Sequence, residues 1–565
     1  MSGEQDNDEA VVSHGESEPP SRRGGGLLVK EPGADLETHG AHFAHLDFEI
    51  DLDRYVGEFN EQVIGAYGQG EGAVLPADTG IARSLIPPGT GVFRDFSHVA
   101  PALPRFIAEQ CVACMECVIV CPDTAILGRV ADADVLESTS REIEQADERA
   151  DFEAQWAKTT KFFEVWEKKG ESGGMFSIHV DPTKCKGCGE CVVACGSHAA
   201  LEMVEKSDGL IEIYRKRHRW IQDLPESPER FLARKLPVDL MLNEERCLLY
   251  VGGGGSCAGC GEATAIRMML AATGELYARE EIGIIAATGC NTVYGSTYPY
   301  NPYLVTWSSS LFENAPAVAM GVRARWNQQG WQRKRLWVLG GDGAMYDIGF
   351  QSLSRMLCSG MDIKVLVLDT QAYSNTGGQT SMASYTAQEA KMSPYGRMQP
   401  GKLEGRKELA NIALMHPEVY VAQTVTAYVN HFHRAIREAN EYPGPALVNV
   451  FTTCQPEHGV ADDMAIEQSR RAVHSRAFPL FVHDPRKGER MRERLSLRGN
   501  PSVSEDWAKD GKTGEPYTFI DFARTEGRFR RQFGPDDAPS EALLKAQSER
   551  LRNWRLLQEL AGLHK

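Results

Sequence analysis

Five short apolar runs between residues 281 and 453 alternate with stretches of helical periodicity. The runs are continuously apolar, which is typical of strands buried on both faces of a sheet, and they read EIGIIAATG, RLWVLGGDG, IKVLVLDT, VYVAQT and PALVNVFTT. The helical stretches around them include AIRMMLAATGEL, PAVAMGVRARW, FQSLSRMLCSG and NHFHRAIREANE. This alternation predicts an α/β fold with a doubly wound, mostly parallel sheet across residues 211–485.

The segments outside this α/β region differ from it in composition. Residues 1–26 are rich in Glu, Ser, Pro and Gly and are predicted to form a disordered acidic tail. Residues 27–100 show no clear pattern and form an N-terminal extension without an assigned role. Residues 101–210 hold eight of the fourteen cysteines, and residues 486–565 form a charged extension that ends in a helical pattern.

Composition narrows the class of protein. The chain has 565 residues and a formal net charge of −17, so no net positive field would attract the phosphates of nucleic acid. No run of 18 apolar residues occurs, and the polar N-terminus lacks the layout of a signal peptide. We therefore expect a cytoplasmic protein whose partners are neither nucleic acid nor membrane. Because thiols there stay reduced, fourteen cysteines favour metal binding or catalysis over disulfides.

Two cysteine motifs share one spacing. CVACMECVIVCP and CKGCGECVVACG both follow C-x2-C-x2-C-x3-C, the run that bacterial ferredoxins use for [4Fe–4S] clusters. Zinc sites or a redox dithiol pair are the alternatives, but zinc sites usually show two separated pairs of cysteines. The spacing predicts a small α+β ferredoxin-like domain with two clusters. In such runs the fourth cysteine binds the other cluster, which gives the ligand sets Cys111, Cys114, Cys117, Cys195 and Cys185, Cys188, Cys191, Cys121.

The second motif departs from the ferredoxin pattern in two ways. It ends in Gly196 rather than proline, which removes no ligand. Between the two motifs, residues 123–184 are charged and helix-like, and we expect them to form a solvated helical insertion in the ferredoxin-like domain.

A further cysteine pair stands far from these motifs. Cys257 and Cys260 lie in SCAGCGE, within a glycine-rich stretch that begins at GGGG. Spacing alone leaves three interpretations open, since the pair could be half of a zinc site, a redox disulfide or half of an iron–sulfur site.

Glycines and an aspartate follow the apolar run LWVLG. Glycines let the backbone approach a phosphate, and Asp342 can ligate a divalent cation that bridges two phosphates. A G-D-G triplet alone is a weak signal, since many are ordinary turns. After the next strand comes DTQAYSNTGGQTS, at the carboxyl end where open parallel sheets bind ligands. The polar groups available there are the Thr370 hydroxyl, the Ala372 carbonyl and the Asn375 amide.

Six segments occur in an order that resembles the thiamine-binding domain of pyruvate:ferredoxin oxidoreductases. They are CAGCGE, ATGC, SSSLFEN, GGDGAMYDIGF, LVLDTQAYSNTGGQTS and YPGPALVNVFTTCQPEHGV. The double cysteine motif before them resembles the ferredoxin-like domain of that family. The resemblance covers residues 78–485 and implies a beta-type subunit in which the two domains are fused.

The resemblance also implies cofactors: three [4Fe–4S] clusters, thiamine diphosphate and Mg²⁺, with coenzyme A as a co-substrate. In that family a third cluster lies close to the thiamine, and its ligands match Cys257, Cys260, Cys290 and Cys454. Cys290 and Cys454 each follow a predicted strand, so both can lie at one edge of the sheet. A zinc site made by the same four cysteines is the alternative.

The remaining site residues are also implied by the resemblance. Asp342, Thr370 and the carbonyl of Ala372 would hold the magnesium ion. Asn375 matches the family residue near the reacting carbon and is predicted to be catalytic. The predicted cofactor-binding set is completed by Gly341, Gly343 and Glu262, the last without a specific role.

The activity implied is the oxidative decarboxylation of a 2-oxoacid, pyruvate first, with coenzyme A to acyl-CoA and CO2. Electrons would leave through the three clusters to ferredoxin or flavodoxin. In that family the glutamate for the aminopyrimidine, the substrate arginine and most coenzyme A contacts lie outside the matched region. We therefore expect a hetero-oligomer that is active only with an alpha/gamma-type partner subunit carrying these groups.

Three alternatives for the activity differ in substrate or class. The first is an oxidoreductase for 2-oxoglutarate or for a branched-chain or aromatic 2-oxoacid. The second is an electron-relay subunit without thiamine catalysis, against which the intact G-D-G and YSNTGG segments argue. The third is a non-oxidative thiamine decarboxylase, which has no use for twelve cluster cysteines.

Overall fold

The computed structural model describes residues 52–75, 86–233, 237–394 and 401–563. The predicted tail, residues 1–26, lies outside the described residues, and so do parts of the predicted extension 27–100. The chain separates into two compact units, Met1–Glu58 and Phe59–Lys565. In the first unit one helix is described, α1 (Leu52–Glu58). The second unit contains all the candidate site residues.

The two cysteine motifs lie among two antiparallel strand pairs. The strands are β1 (Ala102–Phe106), β2 (Ile126–Asp132), β3 (Gly174–Val180) and β4 (Leu201–Glu205). β1 pairs with β4 and β2 pairs with β3. The helices up to this point and just beyond are α2 (Gly65–Gln69), α3 (Glu116–Val120), α4 (Ala133–Glu142), α5 (Ala146–Glu153), α6 (Val165–Glu167), α7 (Glu190–Cys195) and α8 (Asp208–Gln222).

Residues 123–184, expected to be a helical insertion, contain strands as well as helices. β2 and β3 lie inside this range, pair along their full length and are almost entirely buried. The helices α4 to α6 lie between these two strands. ILGRV and FSIHV are rich in β-branched and aromatic residues, which suit a strand pair, and the helical content is confined to the stretch between them.

The second region is built on an eight-stranded sheet. Its strands are β5 (Ile282–Ala287), β6 (Thr306–Ser310), β7 (Arg335–Gly341), β8 (Lys364–Asp369), β9 (Tyr420–Val425), β10 (Ala446–Phe451), β11 (Phe481–His483) and β12 (Leu495–Ser496). The order is β12-β11-β9-β10-β8-β7-β5-β6, parallel from β9 to β6 and antiparallel at β11 and β12. The predicted α/β fold with a mostly parallel sheet is therefore confirmed. A separate short pair joins β13 (Ala508–Lys509) and β14 (Pro516–Tyr517).

Both faces of this sheet are covered. In β8, Leu366 and Leu368 belong to one apolar core, whereas Val365 and Val367 belong to another on the opposite face. The covering and flanking helices are α9 (Glu244–Cys247), α10 (Gly261–Gly274), α11 (Cys290–Gly295), α12 (Ala315–Gln328), α13 (Phe350–Leu357), α14 (Leu409–Ala413), α15 (Val429–Glu441), α16 (Gln455–His458), α17 (Ala465–His474), α18 (Met491–Arg494), α19 (Phe519–Arg524) and α20 (Glu541–Leu560).

One apolar core joins the cysteine motifs to the sheet. It runs without interruption from Val118 and Ile119 in α3, through Met269 and Leu270 in α10, to Ile284 in β5. Burial of these side chains contributes about 1.5–3 kcal/mol each, so the two regions stabilise one another. Within the described ranges, no helix is both long enough and apolar enough to cross a bilayer.

Candidate functional site

Two neighbouring parallel strands bring oxygen atoms to one point. β7 and β8 lie side by side, so Asp342 and Thr370, which follow them, are adjacent. The Thr370 hydroxyl donates to Asp342 Oδ1 at 3.1 Å and lies 3.0 Å from the carbonyl oxygen of Ala372. Carboxylate, hydroxyl and carbonyl oxygens are the ligands that Mg²⁺ prefers. The three predicted magnesium ligands therefore converge and fit the cation.

The electrostatics of Asp342 also suit a cation. Burial raises the pKa of its carboxyl group, and the neighbouring Asp369 carboxylate raises that pKa further. A hydrogen bond from the Ser381 hydroxyl to Oδ2 acts in the opposite direction. A divalent cation at this point would offset the cost of keeping the carboxylate charged.

A cavity of about 290 Å³ opens beside these oxygens. Its wall includes the predicted residues Gly341, Asp342 and Gly343 at the end of β7. A β-carbon at Gly343 would lie 2.7 Å from the ring of Tyr373, so only glycine fits there without displacing that ring. The backbone can consequently approach a ligand closely, as a diphosphate requires.

Glu262 and Asn375 both line this cavity, but Glu262 is buried and Asn375 is exposed. Glu262, in the first turn of α10, is 4% exposed, and its Oε2 has no hydrogen-bond partner among the described residues. Burial raises the pKa of Glu262 to about 8, with a further contribution from Asp342. Asn375 is exposed at the cavity wall. An unpartnered buried carboxyl oxygen needs a polar ligand group, which the cofactor site would supply.

The four cysteines of the third predicted cluster line a second cavity, of about 180 Å³. Cys257 and Cys260 precede α10, Cys290 begins α11 after β5, and Cys454 follows β10. Burial raises the pKa of Cys290, and Glu262 and the other three thiols raise it further. Four thiols around one space are the ligand set of a [4Fe–4S] cluster.

The two cavities share part of their walls. Glu262, Cys290, Thr370, Ser374 and Asn375 line both of them. The magnesium and phosphate groups predicted at the sheet edge therefore adjoin the four-cysteine space directly.

The two ferredoxin-type motifs exchange their fourth cysteines. A small space of about 20 Å³ is lined by the first predicted set, Cys111, Cys114, Cys117 and Cys195. Burial raises the pKa of Cys185, Cys188 and Cys191, and the Cys121 thiol raises each further. The fold thus brings each set together as its spacing predicts. Within the described ranges, no three His, Cys, Asp or Glu side chains are arranged around a single metal-ion position.

Comparison with known proteins agrees with this geometry. Residues 287–450 match the family model described as thiamine pyrophosphate enzyme, C-terminal TPP binding domain, and residues 177–200 match a 4Fe-4S binding domain. The probable pyruvate-flavodoxin oxidoreductase of Escherichia coli is 26% identical over 516 residues, 79% of this chain and 41% of that protein. The pyruvate:ferredoxin oxidoreductase of Moorella thermoacetica is 27% identical over 591 residues, 89% of this chain and 46% of that protein. The chain is therefore similar over most of its length to pyruvate:ferredoxin and pyruvate-flavodoxin oxidoreductases.

The chain spans less than half the length of these curated relatives. The pyruvate-flavodoxin oxidoreductase of Rhodospirillum rubrum is 26% identical over 90% of this chain and 45% of its own length. Among solved structures, 2-oxoglutarate:ferredoxin oxidoreductase from Magnetococcus marinus matches 36% of this chain and 65% of its own chain, with 25% identity and a TM-score of 0.32.

A buried lysine joins three loops near these cysteine sets. Lys186, between two cysteines of the second motif, pairs with Asp123 at 2.6 Å. The same ammonium group donates to the carbonyl oxygens of Gly254 and Ser256, at 2.9 and 2.8 Å. Both ferredoxin-type motifs are therefore held against the loop that carries Cys257.

A second contact joins α10 to the first motif. Arg267, 1% exposed, donates to the carbonyl oxygens of Val118 and Ile119 at 2.6 and 3.3 Å. Carbonyls at the end of α3 carry a partial negative charge, so a buried guanidinium is favourable there.

Sequence reasoning assigned no site role to the residues behind the magnesium ligands. His458 Nε2 donates to the carbonyl oxygen of Thr370 at 2.8 Å, and its Nδ1 lies 3.7 Å from Glu526. Glu526 pairs with Arg528 at 2.6 Å, and Arg528 donates to Gln371 at 3.0 Å. Glu526 and Arg528 belong to the charged C-terminal extension, where nothing in the sequence pattern connects them with the distant Thr370.

Sequence reasoning also missed the buried residues around Asp369, the carboxylate next to Asp342. Asp369 is fully buried and pairs with Arg406. Its Oδ2 accepts from the Tyr346 hydroxyl at 2.5 Å, and the Asn449 amide lies 3.5 Å away. The signal in the sequence was the acidic end of the strand KVLVLD, but Arg406 lies in a loop without a pattern.

Proposed function

We propose that this chain is the thiamine- and cluster-bearing subunit of a pyruvate:ferredoxin oxidoreductase. The reaction is the oxidative decarboxylation of pyruvate with coenzyme A to acetyl-CoA and CO2, with two electrons passed through three [4Fe–4S] clusters to ferredoxin or flavodoxin. The observation that carries this proposal is the shared wall between the diphosphate cavity and the four-cysteine cavity. A non-oxidative thiamine enzyme has no need of that adjacency.

The residues of the cavity have separate tasks in this proposal. Thiamine diphosphate, when bound, would supply carbanion chemistry toward the keto group of a 2-oxoacid. Asp342, Thr370 and the Ala372 carbonyl hold Mg²⁺ against the diphosphate, and the backbone at Gly341 and Gly343 accommodates the phosphates.

Two further side chains act near the reacting end of the cavity. Asn375 presents its amide from the rim, where it can orient a polar substrate group. Glu262, with its raised pKa and unpartnered Oε2, can hold a proton near neutral pH and offer it as a hydrogen bond.

Three cysteine sets would hold the clusters in a fixed order. The inner set is Cys257, Cys260, Cys290 and Cys454, which adjoins the thiamine cavity. The middle set is the one completed by Cys121, since Asp123 and Lys186 tie its loops to residues 254–256. The outer set is the one completed by Cys195, beside a separate surface cavity at Cys114.

A partner polypeptide would complete the site in this proposal. The resemblance implies that the carboxylate for the aminopyrimidine and the substrate arginine lie in parts of the family outside the matched region. The relatives are about twice as long as the segment this chain matches, which supports a partner of alpha/gamma type in a hetero-oligomer. Activity would then require both polypeptides.

A different 2-oxoacid, such as 2-oxoglutarate or a branched-chain or aromatic one, is the second candidate substrate. The names of the curated relatives favour pyruvate. A substrate panel with coenzyme A and a viologen acceptor, run on the complex of the chain with its copurifying partner, decides between them.

The first test is anaerobic iron, sulfide and thiamine analysis of that complex. We expect about twelve irons and one thiamine per chain, the content of three [4Fe–4S] clusters and one cofactor site. Asp342→Asn should lose thiamine and keep all the iron, because Asp342 lies outside the four-cysteine set. About eight irons with bound zinc would refute the inner cluster, and twelve irons without thiamine would favour an electron-relay subunit.

A further inference from the structure

A cavity of about 640 Å³ lies beside the first cysteine motif and shares no lining residue with the two cavities of the proposed thiamine and cluster site. Cys114 and Glu116 form one wall, and the start of α15 forms another. The remaining walls come from α17 and from the loop after β12. Pockets of 300–1,000 Å³ typically bind small molecules, so the size suits a ligand as large as a nucleotide.

The cavity is positively charged in an acidic chain. Arg434, Arg470 and Arg498 line it, and Glu116 is its one acidic lining residue. Among the described residues, none of these three guanidinium groups forms an ion pair or hydrogen bond. Arg470 and Arg498 are exposed and Arg434 is partly buried, so all three guanidinium groups are free to bind an anionic ligand in this space.

The start of α15 adds donors to this charge. The helix has 13 residues, its N-cap residue Tyr428 makes no capping side-chain bond, and Val429 and Asn430 line the cavity. Free backbone N–H groups at a helix N-terminus bind phosphates. The first turn of α15 therefore presents donors to the space that the arginines surround.

A buried histidine lies in the same first turn. His431 lines the cavity, is 6% exposed, and its Nε2 has no partner among the described residues. Its Nδ1 lies 2.9 Å from the Thr424 hydroxyl. Burial, with a smaller contribution from Arg434, lowers the pKa of His431 to about 3, so the ring is neutral and adds no charge of its own to the cavity.

We propose that this cavity binds a phosphate-bearing small molecule of nucleotide size. Its phosphates lie at the first turn of α15, between Arg434, Arg470 and Arg498. This binding site is separate from the proposed thiamine site and does not depend on it. Because Cys114 shares the cavity, the bound negative charge also lies beside the outer cysteine set, where it would lower the reduction potential of a cluster held there.

Calorimetric titration of the full chain, purified anaerobically with its partner, tests the proposal. ADP and inorganic diphosphate are the probes, in separate titrations. We expect one ADP per chain, bound more tightly than diphosphate because the cavity is larger than two phosphates. Arg434→Gln and Arg470→Gln should each weaken ADP binding by about tenfold or more, the effect of losing one charge-assisted hydrogen bond.

Matched controls lie on the same two helices. Arg437 of α15 pairs with Glu441 and Arg471 of α17 pairs with Glu467, each at 3.0 Å, and neither lines the cavity. Arg437→Gln and Arg471→Gln should therefore leave ADP affinity unchanged. Arg498→Gln, an exposed loop position, gives a third test that does not touch a helix.

Three results would overturn the proposal. The first is no ADP binding above the background of the controls, and the second is equal weakening by Arg434→Gln and Arg437→Gln. The third is equal affinity for diphosphate and ADP, which would leave a phosphate site without a nucleotide-sized ligand. If ADP fails to bind and Arg470→Gln slows electron transfer to an acidic ferredoxin, the surface around this cavity binds a protein electron carrier instead of a nucleotide.

Discussion

The Arg406–Asp369 pair gives the sharpest test of how the sheet edge is stabilised. Asp369 is fully buried, and Arg406 supplies its ion pair. Replacing Arg406 with methionine keeps most of the side-chain length but leaves this carboxylate with hydrogen bonds from Tyr346, Gln371 and Asn449 and without an ion pair. Removing one member of a buried ion pair typically costs about 3–5 kcal/mol. We expect Arg406→Met to lower the free energy of unfolding by that amount.

Urea unfolding of the chain, prepared anaerobically with its iron bound and without thiamine and followed by tryptophan fluorescence, measures this change. The midpoint should fall while the m-value stays constant, since the surface exposed on unfolding is the same. The double variant Arg406→Met, Asp369→Asn removes the uncompensated negative charge of the Asp369 carboxylate. It should therefore be more stable than the sum of the two single variants predicts, by about 1.5 kcal/mol or more.

Two outcomes would refute this reasoning. A loss below about 1 kcal/mol for Arg406→Met would mean that water or neighbouring dipoles solvate Asp369 as well as the guanidinium does. Strict additivity of the two single variants would mean that the pair is not energetically coupled.

Three other predictions concern the remaining sites. Cys454→Ser should lower the iron content from about twelve to about eight per chain while thiamine binding remains. The control Cys358→Ser, at an exposed cysteine outside all three sets, should keep all the iron. Equal loss of iron in both variants would contradict the inner ligand set. Arg528→Met should weaken thiamine diphosphate retention by about tenfold, because outer residues that orient ligands contribute on that scale, whereas Arg530→Met, exposed in the same short helix, should leave retention unchanged. Burial lowers the pKa of Lys364 to about 7, with Asp362 opposing that shift; the unfolded chain therefore binds more protons between pH 7 and 10.5, and stability should rise with pH across that window. Lys364→Met should flatten this rise in pH-dependent urea midpoints, and an unchanged slope would show that another group causes it.

The parallel strands were predictable because their sequences are continuously apolar. β5, β7, β8, β9 and β10 coincide with the five predicted runs. β6 was not predicted, since TWSSS is polar and lies at an exposed edge of the sheet. β11 and β12 were missed because strands of three and two residues carry no periodic signal.

Some residues of the candidate site could likewise be predicted from the sequence, and others could not. Asp342 and Thr370 could be placed together because neighbouring parallel strands end at the same edge. Cys290 and Cys454 could not be paired by spacing, since β7 and β8 separate β5 from β10 in the sheet, and only the resemblance joined them. Arg528 could not be foreseen at all, because a charged pattern predicts a solvated surface and says nothing about a buried guanidinium.

The uninterrupted apolar core between α3, α10 and β5 has a consequence for biogenesis. Metal binding by cysteine motifs supplies folding free energy directly, and here that free energy reaches the sheet through shared side chains. In a newly made chain that lacks its proposed clusters, the thiamine-binding region would therefore also be less stably folded. Proteases act on the fraction of molecules that is open, so iron shortage would remove the whole polypeptide. The cell would then hold few molecules that bind thiamine without being able to pass on electrons.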